Sequence, residues 1–127
     1  GARLTDAPGA SAWYVGGVVS YADAVKEAVL DVPASVLQEH GAVSAEAAGA
    51  MAAGVRRRLS ADWALSVTGI AGPGGGTEEK PVGLVHVALA GPGVAFTREL
   101  RLHGDRDRIR QRAATIALHL LREALEG

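Results

Sequence analysis

A tyrosine and a lysine five residues apart, Tyr21 and Lys26, stand where an apolar run gives way to a helical pattern. A lysine whose ammonium is partly desolvated can act as a general base toward a serine hydroxyl, and a tyrosine hydroxyl can relay or position that proton. The same spacing also fits a plain exposed lysine on a first helical turn. A second segment, Val67-Thr68-Gly69-Ile70-Ala71-Gly72-Pro73-Gly74-Gly75-Gly76, follows directly on an apolar strand pattern. A glycine-rich turn there can aim several backbone N–H groups at a phosphate or an oxyanion, or it can simply connect two elements. It has neither the Gly-Lys-Ser/Thr ending of a Walker loop nor the GxGxxG spacing of a dinucleotide fingerprint. The third segment, Gly104-Asp105-Arg106-Asp107-Arg108-Ile109-Arg110, opens the last helical pattern. Arginines beside a helix N-terminus can hold a phosphate together with the free amides, while Asp105 and Asp107 equally suit an exposed helix start favoured by the dipole. His40, His86, His103 and His119 show no metal-ligand spacing, and no metal is expected.

The elements that must position these groups are legible from periodicity. Ala12–Tyr21 is β-branched and aromatic and predicts a buried strand, with Gly16 and Gly17 marking a close approach of backbone or ligand. Tyr21 and Lys26 would then face one sheet edge. Short helices are expected over Asp23–Leu30 and Val36–His40. Ser44 caps a longer helix over Ala45–Leu59, with Ala48, Met51 or Ala52, Val55 and Leu59 on one stripe. Trp63–Val67 predicts a strand, residues 69–81 a loop, and Val82–Ala90 and Val94–Leu102 a hairpin about Gly91-Pro92-Gly93. Asp105 caps the last helix, whose Ile109, Ala113, Ile116, Ala117, Leu120, Leu121 and Leu125 keep helical rhythm. Strands alternating with helices, plus one hairpin, predict a single α/β domain with a mixed sheet of about four to six strands covered by helices.

At 127 residues the chain fits one domain. Apolar residues make up 48% but aromatics only 4%, so Ala, Val and Leu must fill the core and bring elements close together. A net charge of -1 argues against nucleic acid or an anionic membrane as partner. Arg56, Arg57 and Arg58 end a helix, where cations complement the carbonyl end of the dipole. The chain has no cysteine, which removes disulfides, thiolate metal sites and cysteine nucleophiles and fits a reducing cytoplasm. No apolar run reaches the roughly 18 residues that span a bilayer.

Three segments taken together resemble one family. Gly16-Gly17-Val18-Val19-Ser20-Tyr21 with Lys26, Val67-Thr68-Gly69-Ile70-Ala71-Gly72-Pro73 with Lys80-Pro81-Val82-Gly83, and Gly104-Asp105-Arg106 with Arg110 occur in the order and spacing of the CinA C-terminal domain. Leu37-Gln38-Glu39-His40-Gly41-Ala42-Val43-Ser44 is similar to it as well, and the likeness runs nearly end to end. The resemblance implies one amidohydrolase domain over residues 1–127 with an incomplete N-terminal helix. Its reaction would belong to pyridine-nucleotide salvage: nicotinamide mononucleotide plus water gives nicotinic acid mononucleotide and ammonia, with no metal and no cofactor. The family's nucleophile is a serine in a Glu-Ser-x-Thr-Gly-Gly motif on a helix just before the positions of Arg3-Leu4-Thr5. These 127 residues do not contain that motif, and neither Ser11 nor Ser20 matches it.

Carried over position by position, Tyr21 and Lys26 match the serine's proton-handling partners. Gly16, Gly17, Thr68, Gly69, Ala71 and Gly72 match the substrate site, and Arg106 or Arg110 its phosphate contact. The resemblance further implies a homo-oligomer, dimer or higher, and a possible additional N-terminal domain in the full-length protein. The alternative is a non-catalytic pyridine-nucleotide-binding or interaction domain of a competence/damage-inducible protein, and the upstream serine separates the two.

Overall fold

The structure, a computed structural model, describes residues 1–127. Its centre is the strand β2 (Leu84–Gly91), every residue of which is buried. Such a strand needs both faces covered, and its sequence Leu-Val-His-Val-Ala-Leu-Ala-Gly is apolar almost throughout. β1 (Ala64–Gly69) and β3 (Val94–Arg101) flank it, both antiparallel, in the order β1-β2-β3. The register sets Thr68 and Glu99 on either side of His86, and Gly91 pairs with Val94 at the predicted hairpin.

Alternation along β2 assigns its two neighbours. Val85 and Val87 join Leu102 and the Ile109, Ala113, Ala117 and Leu120 stripe of α5 (Arg106–Glu126). Ala88 and Ala90 meet Ala48 and Ala52 of α4 (Ala45–Arg58) on the other face. Four facing alanines let α4 lie close to the sheet. Both helices start on the caps legible in the sequence: Ser44 Oγ accepts from Ala47 N–H at 3.1 Å, and Asp105 Oδ1 from Arg108 N–H at 2.9 Å. Outside α4 lie α2 (Asp23–Leu30) and α3 (Ala34–His40), where Leu30, Val32 and Met51 form a third cluster. α2 meets α4 at Gly54, where a Cβ would stand 1.8 Å from Leu30 O. A short α1 (Ala2–Thr5) completes the helices.

Two expectations change. The sheet is three-stranded and wholly antiparallel, not a mixed sheet of four to six strands. The missing strand is Ala12–Tyr21, which forms a 3₁₀ turn at Ala10–Ala12 and then extended chain outside any sheet. Its alternation is real: Tyr14 and Val18 are partly buried and Ser20 is buried, while Trp13, Val15, Val19 and Tyr21 are exposed. Val18, however, packs on the Leu30, Val32 and Met51 cluster, so the α2–α4 pair supplies the inner face that a sheet was expected to supply. Periodicity reports the backbone and one buried face; pairing depends on what lies alongside.

Candidate active site

Lys26 lies in the first half of α2, and its side chain is buried although the residue is charged. Its Nζ donates to Ser20 O at 2.7 Å and to Tyr21 O at 3.1 Å, with Asp23 Oδ1 at 3.9 Å. The ammonium thus ties the end of the extended segment back onto the helix that follows it, and two of its three donors are satisfied by carbonyls. Tyr21 contributes its carbonyl, while its side chain is exposed; the pair does not stand at a sheet edge. Ser20 likewise contributes only its carbonyl, and no serine hydroxyl of residues 1–127 bonds to Lys26.

Gly16 and Gly17 lie just upstream of this cluster. The Tyr14 hydroxyl stands 2.9 Å from where a Cβ of Gly17 would be and 3.3 Å from that of Gly1. The chain at Gly1 is therefore beside the segment that leads to Lys26. Arg3 holds α1 onto α5, donating to Thr115 Oγ1 and, at 3.1 Å, to Gln111 O.

A second group forms where β1 ends. Arg106, in the first turn of α5, donates from Nη1 to Gly72 O at 2.8 Å and so fastens the glycine loop to the helix start. Gly72 has φ +82 and a Cβ there would lie 2.6 Å from Val82 Cγ1, so the loop folds back on Val82 in a way only glycine permits. Ala71 packs against the α5-side core. Thr68 is nearby in sequence but its hydroxyl donates to Ala42 O at 2.7 Å, on the α4 face. Arg110 is exposed, with no hydrogen bond or ion pair. The structure thus brings Arg106, Ala71 and Gly72 together and leaves Arg110 apart. No hydrogen bond or ion pair joins this group to Tyr21 and Lys26. No group of three or more His, Asp or Glu residues is placed to hold a metal ion, and no helix is long and apolar enough to cross a membrane.

The polar inner face toward α4 was not singled out from sequence. Ser66 Oγ donates to Ala48 O of α4 at 2.6 Å, and two residues on Thr68 holds Ala42 O in the connection that leads into α4. The signal available was the alternation Ser66-Val67-Thr68 in a strand. Lys80 Nζ donates to His40 O, closing the far end of the loop onto α3. His86 is buried on this face, its Nδ1 without a partner. Burial pushes its pKa below the ordinary value; Glu99 opposes this and Lys80 adds to it. The unfolded chain then takes up a proton from about pH 6.5 downward while the folded chain resists it. Stability from neutral His86 is accordingly full above that pH and is lost as pH falls toward the lowered folded value. Urea unfolding between pH 7.5 and 5 should show this loss, and His86→Leu should remove that part of the slope; an unchanged slope would clear His86 of the effect.

Comparison with known proteins decides the family. A profile described as the CinA C-terminal domain matches residues 1–125. The chain belongs to the CinA C-terminal domain family. It is 55% identical over 125 residues to a CinA-like protein of Mycobacterium marinum and 61% identical over 122 residues to one of Anaeromyxobacter. Those alignments cover 98% and 96% of this chain but 29% and 30% of the relatives, so the chain spans about 30% of the length of the curated relatives it matches. Among solved structures, the competence/damage inducible protein CihA of Agrobacterium tumefaciens superposes with a TM-score of 0.95 at 41% identity, over 99% of this chain and 77% of that one. The competence damage-inducible protein A of Klebsiella pneumoniae superposes at 0.94 and 35% identity, over 98% and 78%. The arrangement described above is thus shared with these structures over the part of their chains that it covers.

Proposed function

We propose that this CinA domain hydrolyses the carboxamide of nicotinamide mononucleotide to nicotinic acid mononucleotide and ammonia. The observation that carries this reading is a buried lysine amine, held in one position by two backbone carbonyls, at the end of a largely exposed segment. Buried amines of this kind are rare outside ion pairs and suit proton transfer. A serine from a segment preceding Gly1 would attack the carboxamide carbon. Lys26 takes the serine proton and passes it to the departing ammonia, with Tyr21 positioning that proton. Backbone amides hold the oxyanion, and water then cleaves the acyl-enzyme. Gly16 and Gly17 let substrate approach the backbone, and Gly69, Ala71 and Gly72 with Arg106 bind the nucleotide, while Thr68, its hydroxyl on Ala42 O, fixes the strand end from which that loop departs. We further propose a cytoplasmic protein with an additional N-terminal domain.

A binding module without turnover is the second reading, and the upstream serine separates the two. Ammonia release from nicotinamide mononucleotide by the full-length protein separates them, since a pure binder releases none.

The phosphate contact is tested by Arg106→Ala. A lost charged hydrogen bond is worth roughly 1.5–3 kcal/mol, so calorimetry should show the mononucleotide bound about 10–100-fold more weakly, with the phosphate-free riboside little changed. Equal losses for both ligands would reject the role, and Arg110 would inherit the test.

A further inference from the structure

The glycine loop leaves β1 after Gly69 and rejoins the sheet at Leu84, and its two limbs are held in different ways. The first limb is packed. Ala71 lies against the core on the α5 side, Gly72 is buried, and a Cβ on Gly72 would meet Val82 Cγ1. The second limb is tied by a charged side chain. Thr77 and Lys80 close a turn on themselves, Thr77 N–H donating to Lys80 O at 2.8 Å and Lys80 N–H to Thr77 Oγ1 at 3.0 Å. Lys80 Nζ then donates to the carbonyl of His40, the last residue of α3.

That acceptor suits a lysine. The last carbonyls of a helix find no amide within their own helix and carry the negative end of its dipole. A lysine brought in from a distant part of the chain satisfies the carbonyl and complements the dipole together. The following residue makes room for it: Gly41 has φ +78, and a Cβ there would stand 3.0 Å from Lys80 Nζ. At the other end of the loop, Thr68 Oγ1 donates to Ala42 O at 2.7 Å. The strand end that opens the loop and the turn that precedes its return are therefore both fastened to one short connection, residues 40–42.

We propose that Lys80 is a positioning residue, a strap that holds the second limb of the glycine loop in the place where the loop receives its ligand. This rests on the reading of that loop as part of the nucleotide site. Lys80 acts through the backbone it fixes and spends its ammonium on α3, so it has no preference for a phosphate. Arg106 differs in this respect, because its guanidinium is assigned to the phosphate itself. The first limb keeps its place by burial, so the second is the one that a single substitution can release.

In the full-length protein, Lys80→Met keeps the aliphatic stem and removes the donor, while Lys80→Arg keeps a cationic donor. Calorimetry on Lys80→Met should show nicotinamide mononucleotide and its phosphate-free riboside both bound about 3–10-fold more weakly, as for one lost hydrogen bond. Lys80→Arg should bind both close to normally. Without ligand, backbone hydrogen exchange over residues 74–80 should be faster in Lys80→Met and restored in Lys80→Arg. A loss confined to the mononucleotide would make Lys80 a phosphate contact and overturn the proposal. Unchanged exchange would overturn it too, and so would faster exchange with both ligands bound as before. A wild-type protein that binds neither ligand removes the nucleotide site and the positioning role together. Ammonia release is read in none of these measurements. A protein that binds in this pattern but releases no ammonia therefore leaves the strap standing while the amidase reading falls.

Discussion

Lys26→Ala, in a chain carrying the upstream serine, is expected to lower kcat for ammonia release by about 10²–10⁴-fold, the usual contribution of a general base. The geometry gives the change a second consequence. Ser20 O and Tyr21 O would lose the donor that now satisfies them, and Ser20 is buried. Leaving a buried acceptor unpaired costs about 1–3 kcal/mol, so the melting temperature should fall as well. Lys26→Arg separates the two effects: a guanidinium can still donate to both carbonyls but cannot accept a proton at any working pH. Stability should largely return in that variant while turnover stays low. Near-normal turnover in either variant would remove Lys26 from the chemistry and leave it a clasp for residues 20–21.

Gly54→Ala is expected to be among the most damaging single-methyl changes in the chain, at about 3 kcal/mol of lost stability. Helix propensity alone predicts the opposite, a gain of about 1 kcal/mol from replacing a mid-helix glycine. The contact decides the sign. An added Cβ would stand 1.8 Å from Leu30 O and 2.8 Å from Leu30 C, which are backbone atoms that cannot rotate away. α2 would have to lift off α4, taking Lys26 with it. Gly49 in the same helix is the control: its Cβ would meet only Thr97 Cγ2, at 3.8 Å. Gly49→Ala should therefore be neutral or stabilising in urea melts. If both substitutions behave alike, the close crossing of α2 and α4 at Gly54 is wrong.

What the sequence determined by itself was local and periodic. Ser44 and Asp105 cap their helices because a short side-chain acceptor before an apolar stripe satisfies a free amide whatever surrounds it. The helices at residues 23–30 and 106–126 and the hairpin of β2 and β3 follow from spacing and turn residues alone. The segment Gly16–Tyr21 with Lys26, the Thr-Gly-Ile-Ala-Gly-Pro loop, and Gly104-Asp105-Arg106 with Arg110 together pointed to the family. The tertiary structure decided what local pattern cannot express. Ala12–Tyr21 alternates like a strand yet joins no sheet, because Val18 finds its buried face on the α2–α4 pair. Arg106 and Arg110 are equivalent on paper; only Arg106, one turn nearer the helix start, reaches Gly72 O. Thr68 faces α4 rather than the loop because side chains in a strand alternate and residue 68 shares the face of Ser66 and His86. His86 loses its partner and its usual basicity only once α4 and the strand neighbours Thr68 and Glu99 close over it. Caps and periods act over a few bonds and survive in any context, whereas pairing, burial and the reach of a side chain depend on which distant residues the fold brings alongside.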